Sequence, residues 1–231
     1  MMHRLAYFII LTTTINMGLF GQDQLGEDWA DLRRYQQENT ELKASAHSLD
    51  VVLMGNSITE SWVAMRPIFF RRNGYVGRGI SGQTTAQMLV RFRQDVIDLH
   101  PKIVVILAGT NDIAGNTGPT TNDQIINNIS SMANLAEYHG LQVILCAVLP
   151  AADYTWAPGM QPQIRIPALN EQLKLLANKN GYSFLDYFGA MDDGEAGLRS
   201  ELTYDGVHPN KAGYKVMEPL LVQVIDDVMD R

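Results

Sequence analysis

Three short apolar runs stand out along the chain: "DVVLMG" at 50–55, "KIVVILAG" at 102–109 and "LQVILCAVLP" at 141–150. None alternates with polar residues as a strand with one wet face does. Nearly continuous, β-branched runs of this length predict strands buried on both faces, as in a parallel sheet between helices. "GYVGRGI" (74–80) and "GYSFLDY" (181–187) are weaker strand candidates.

The segments between the runs change period. "EDWADLRRYQQENTELKAS" (27–45) spaces Trp29, Leu32, Tyr35 and Leu42 roughly as a helix does. "NDQIINNISSMANLAEYHG" (122–140) puts Ile125, Ile129, Met132 and Leu135 on one stripe and finishes at Gly140, a natural C-terminal cap. "IPALNEQLKLLANKNG" (166–181) repeats the pattern with Leu169, Leu173 and Leu176, and a last helix is expected over 210–229 with Pro219 as a kink. Strand and helix alternate without repeats or a low-complexity linker. This predicts one three-layer α/β/α sandwich with a parallel sheet, running from 22 to 231.

The start of the chain reads differently. "MMHR", then the apolar "LAYFIILTTTINMGLFG", then polar "QDQLGEDW" have the parts of a secretory signal peptide, placed at 1–21 with cleavage near Gly21. The apolar centre, Leu5 to Ile15, is short and carries three threonines, so stable membrane insertion is not expected and export to the periplasm or medium is. With 46% apolar and 19% charged residues the chain is an ordinary globular one. A net charge of −7 without any Lys/Arg run argues against nucleic acid or anionic membrane as partners. The single cysteine, Cys146, reads as a small buried hydrophobe. Oligomeric state is not encoded in these patterns.

In open parallel sheets, ligands bind outside the carboxyl ends of the strands, which directs attention to the residues leaving each run. The first run leaves through Gly55-Asn56-Ser57, the second strand through "GRGISGQTT", the third through Gly109-Thr110-Asn111-Asp112 and the fourth through "LPAADYTWAPGM". Each has a bland reading: Ser57 as a helix cap, Asn111 as a cap or Asx-turn, "SGQTT" as a turn before a helix. "TYDGVHPNKAGY" (203–214) is more specific, because Asp205 and His208 lie three residues apart in a turn ahead of the last helix. Of the five histidines only His208 has a carboxylate so tightly placed; His3 is in the leader, and His47, His100 and His139 lie on or near predicted helix ends. A serine, a histidine oriented by an aspartate, and amide donors are the parts of acyl transfer. No Gly-x-Ser-x-Gly occurs, which excludes a literal α/β-hydrolase elbow, and no metal-ligand spacing is present.

Taken together, "GNSIT", "GISGQTT", "GTND" and "DGVHP", in that order over residues 51–215, resemble the four blocks of the SGNH (GDSL-type) hydrolases. They are most similar to the branch of platelet-activating-factor acetylhydrolase catalytic subunits and bacterial carbohydrate acetylesterases. The resemblance implies a flavodoxin-like five-stranded parallel sheet. It further implies Ser57 as nucleophile, His208 as base and Asp205 as its orienter. The backbone N–H groups of Ser57 and Gly82 and the Asn111 side chain become the oxyanion donors. Asn56, Trp62, Thr110 and Trp156 are candidates to line the substrate site. Two positions depart from the family pattern: Asn56 stands where Asp is usual, and Gly77 where Asn is frequent. The expected activity is cofactor-free, metal-free hydrolysis of a small acyl ester, O-acetyl on carbohydrate first, with a small-molecule or glycan ester as partner. The alternatives are a lysophospholipase or thioesterase for longer chains and an inactive glycan binder.

Overall fold

A computed structural model of the protein describes residues 28–45 and 49–231; the leader read at 1–21 lies outside them. Five strands form one all-parallel sheet: β1 (Val51–Gly55), β2 (Tyr75–Gly79), β3 (Ile103–Leu107), β4 (Gln142–Cys146) and β5 (Ser183–Leu185), in the spatial order β2-β1-β3-β4-β5. This is the flavodoxin-like order expected, with the strand sequence reversing direction between β1 and β3.

The continuous apolar runs are explained by how each strand divides its side chains. Val52, Met54, Val104, Ile106, Val143 and Leu145 face one apolar layer; Val51, Leu53, Ile103, Val105, Ile144 and Cys146 face the other. Side chains alternate across a strand, so a strand covered on both faces needs apolar residues at every position. The first layer is closed by α4 (Thr85–Asp95), α6 (Asn122–Tyr138) and α7 (Pro162–Asn180), the second by α2 (Ser57–Met65), α3 (Pro67–Asn73), α8 (Tyr187–Met191) and α9 (Lys211–Met229).

Several boundaries differ from those read along the chain. The helix expected over 27–45 is only α1 (Gln36–Ala44), because Asp31 turns with φ +52° and residues 28–35 run as turns. Their carbonyls are held by side chains of α4 and the turn before it: Ala30 O by Gln83, Trp29 O by Gln87 and Leu32 O by Gln94. The helix α7 begins at Pro162, ahead of the expected 166, since a proline at the first helical position loses no hydrogen bond. The fourth run leaves the sheet at Cys146 although it stays buried to Ala151. There the Asn170 side chain takes the place of a neighbouring strand, bonding both Val148 N (2.8 Å) and Val148 O (2.9 Å).

Candidate active site

The first strand exit is shaped by close backbone approach. A Cβ on Gly79 would lie 2.3 Å from Glu60 N and 2.5 Å from Asn56 O, so only glycine lets β2 touch the start of α2. Gly77, the second departure from the family pattern, likewise leaves room for Val63, whose Cγ2 a Cβ would meet at 2.3 Å. Ser57 does not cap α2. Asn56 does, its Oδ1 accepting from Ile58 N at 3.0 Å. The amide oxygen serves this bond as a carboxylate would. Capping by Asn56 frees the Ser57 hydroxyl, and Ser57 N–H, at the first helical position, has no partner among the described residues.

The last expected segment, the loop before α9, meets it at the same end of the sheet. Ser57 Oγ lies 2.9 Å from His208 Nε2, and His208 Nδ1 lies 2.7 Å from Asp205 Oδ2. The other carboxylate oxygen, Oδ1, accepts from Val207 N (3.0 Å) and His208 N (2.7 Å), while Gly206 turns with φ +84°. Thr203 closes the loop: its hydroxyl accepts from Asp205 N and Gly206 N and donates to His208 O. Burial works to raise the Asp205 carboxyl, but the bonds from His208 and Val207 outweigh it and hold Asp205 below its ordinary range. The loop is anchored to α9 by Asn210, which caps that helix through Ala212 N and Gly213 N.

The remaining expected donors converge on the same cleft. Gly82 turns with φ +79°, a conformation open to glycine, and its N–H has no partner among the described residues. Asn111 lies in the short helix α5 (Thr110–Ile113); one of its Nδ2 hydrogens is spent on Gln83 O at 3.0 Å, which fixes the amide plane and leaves the second. Asp112 secures the turn bearing Gly82 by accepting from Thr85 N with both oxygens, at 3.1 and 3.0 Å, and from Thr85 Oγ1 at 2.5 Å. Burial lifts the Asp112 carboxyl to about 6 against those bonds.

A cleft of about 310 Å³ is lined by Ser57, Gly82, Asn111, His208 and Trp156, together with Ser61, Ser81, Asn116 and Tyr204. Trp156, 43% exposed, donates its Nε1–H to Asn116 Oδ1 at 3.3 Å and lies 6.0 Å from the His208 ring. Tyr204, 58% exposed, stacks on the same imidazole at 5.8 Å. Three of the expected lining residues are corrected. Trp62 is 1% exposed, stacked on Tyr214 and Phe69 inside the second apolar layer. Thr110 is buried with its hydroxyl 2.8 Å from Tyr154 OH, and Asn56 is buried as a cap. Tyr204, Asn116, Ser61 and Ser81 were not singled out in the chain. Only Tyr204, adjacent to Asp205, carried a signal there.

Among the described residues no group of three or more His, Cys, Asp or Glu side chains is placed to hold a metal ion, and no helix is long and apolar enough to cross a membrane.

The sheet order, its helical layers and a cleft at the β1/β3 reversal define the SGNH-hydrolase class of α/β folds. The chain belongs to the GDSL-like Lipase/Acylhydrolase family, whose model matches residues 53–216. It is similar to a Bacteroides fragilis structure described as an acylhydrolase, at 50% identity and a TM-score of 0.84, over 87% of this chain and 99% of that one. A GDSL-like lipase from Bacteroides thetaiotaomicron matches at 46% identity and 0.82, over 86% and 98%. Esterase TesA of Pseudomonas aeruginosa is 28% identical over 72% of this chain and 82% of its own. The protein is therefore an esterase or acylhydrolase of the GDSL family.

Proposed function

We propose that this enzyme removes small acyl groups, O-acetyl first among them, from carbohydrate, as in the branch of bacterial carbohydrate acetylesterases and platelet-activating-factor acetylhydrolase subunits. One observation carries the mechanism: the hydrogen-bonded chain from Ser57 Oγ through the His208 ring to Asp205, at 2.9 and 2.7 Å. With Nδ1–H donated to Asp205, His208 presents a lone pair at Nε2 and takes the Ser57 proton as Oγ attacks the ester carbonyl. The tetrahedral oxyanion is held by the N–H groups of Ser57 and Gly82 and by the free Nδ2–H of Asn111. His208 gives its proton to the leaving alcohol as the carbon–oxygen bond breaks, leaving acyl-Ser57. Water, deprotonated by His208, then attacks the acyl carbon, and the acid departs as Ser57 recovers its proton.

The cleft supports a short acyl group on a polar carrier. Ser61, Ser81, Asn111 and Asn116 line it with hydrogen-bonding groups. The exposed faces of Trp156 and Tyr204 beside His208 suit the C–H face of a sugar ring. Export through residues 1–21 would place the enzyme where glycans are met.

Rates on p-nitrophenyl esters from acetate to decanoate, with acetate release from a panel of acetylated sugars and polysaccharides, test the proposal. A steep fall beyond butyrate with acetate released from the glycans is expected; a rise toward decanoate replaces it with the long-chain reading.

A further inference from the structure

The three oxyanion donors come from three separate strand exits, so something must hold their spacing. Arg91 of α4, fully buried, lies directly beneath two of those exits. Its Nη2 donates to Gly55 O at 3.0 Å, two residues before Ser57, and to Arg78 O at 2.9 Å, in the penultimate residue of β2. Its Nε donates to Gln83 Oε1 at 2.5 Å, and Nη1 pairs with Asp95 Oδ2 at 3.0 Å. Gln83 follows Gly82 directly and is itself buried. Its carbonyl accepts the Asn111 amide at 3.0 Å and its Nε2 donates to Ala30 O at 2.8 Å.

The Arg91 guanidinium, with the side chain and backbone carbonyl of Gln83, thus joins through buried hydrogen bonds the backbone leading to Ser57, the turn of Gly82 and the side chain of Asn111. A guanidinium is suited to this: its donors are fixed in one plane, so a carbonyl that satisfies one of them fixes where the others point. The paired charge on Asp95 makes the buried cation tolerable, while the bonds to Gly55 O and Gln83 go beyond that compensation.

We infer that Arg91 and Gln83 are positioning residues that set the mutual register of the Ser57, Gly82 and Asn111 donors. They touch no substrate. Their effect is on where the oxyanion is held, and it rests on the Ser57 mechanism proposed above.

The test compares Gln83→Met, Arg91→Lys and Asp95→Asn in the full chain, by p-nitrophenyl acetate kinetics well below each variant's melting temperature. Misplaced donors weaken the transition state more than the ground state. Gln83→Met and Arg91→Lys are therefore expected to lose about ten- to a hundred-fold in kcat with KM held within about twofold. Asp95→Asn keeps the bonds to Gly55 O and Gln83, so it lowers the melting temperature while kcat stays within about twofold. If Arg91→Lys does not fold, Gln83→Met decides. Wild-type kcat in folded Gln83→Met, or an equal fall of kcat in Asp95→Asn, overturns the inference. An active Ser57→Ala, measured alongside, overturns instead the mechanism on which it rests.

Discussion

Ser57 Oγ and His208 Nε2 lie 2.9 Å apart across 151 positions of chain. They meet because β1 and the loop before α9 both end on the same rim of the sheet. Ser57→Ala and His208→Ala are expected to lose about 10⁴–10⁶-fold in kcat toward p-nitrophenyl acetate while melting as the parent does. Asp205→Asn keeps an acceptor for the loop's N–H groups but presents the wrong partner to Nδ1, and a loss of about 10⁴-fold is expected. Fluorophosphonate labelling followed by mass spectrometry locates the reactive hydroxyl independently; an unlabelled, inactive protein would point to a binder.

Asn111→Ala removes one oxyanion donor and its bond to Gln83 O. A fall of about 10²–10³-fold in kcat is expected, about 3–4 kcal/mol of transition-state stabilisation, with KM little changed. Steady-state kinetics read both. An effect confined to KM would place Asn111 in substrate binding.

Two tryptophans expected to share one role should separate cleanly. Trp62→Ala opens a cavity among Phe69, Phe70, Tyr187 and Tyr214 and should cost about 3–5 kcal/mol in urea unfolding. Trp156→Ala, at the exposed rim, should stay within about 1 kcal/mol of the parent. Its effect is expected in catalysis: a higher KM for acetylated sugars with p-nitrophenyl acetate hydrolysis preserved. Equal loss on both substrates would argue that Trp156 serves the His208 ring instead of a sugar.

Asp112 makes stability depend on pH. Burial raises its carboxyl from 3.8 to about 6, so between those values the folded chain binds a proton that the unfolded chain releases. This contribution is complete below about pH 3.8 and is lost as pH rises through 6. Asp112→Asn removes the titration. Its stability relative to the parent should improve as pH goes from 4 to 7, by up to about 3 kcal/mol, read by urea unfolding at each pH. A difference of opposite sign would mean that the Thr85 bonds outweigh burial.

Much of this architecture was legible along the chain, for a local reason. Strands covered on both faces must be apolar at every position, so "VVLMG", "IVVIL" and "VILC" declared themselves, and sites in such sheets lie at strand exits. Asp205 and His208 were readable as a pair because three residues of turn suffice to join them. Boundaries were less legible: Asp31 broke the helix expected over 27–45 through a positive φ that spacing does not report.

The sequence by itself determined the alternation of strands and helices, the polar residues at each exit, and the aspartate–histidine turn, since these depend on neighbours within a few positions. Tertiary structure alone decided which exits converge. Nothing local distinguishes Trp62, sealed among aromatic rings, from Trp156 at the mouth of the cleft, because burial is set by what distant segments pack against. Nor does any spacing reveal that Arg91 is buried beneath two strand ends. A charge can be held there only because Gly55, Arg78, Gln83 and Asp95 arrive together to satisfy it.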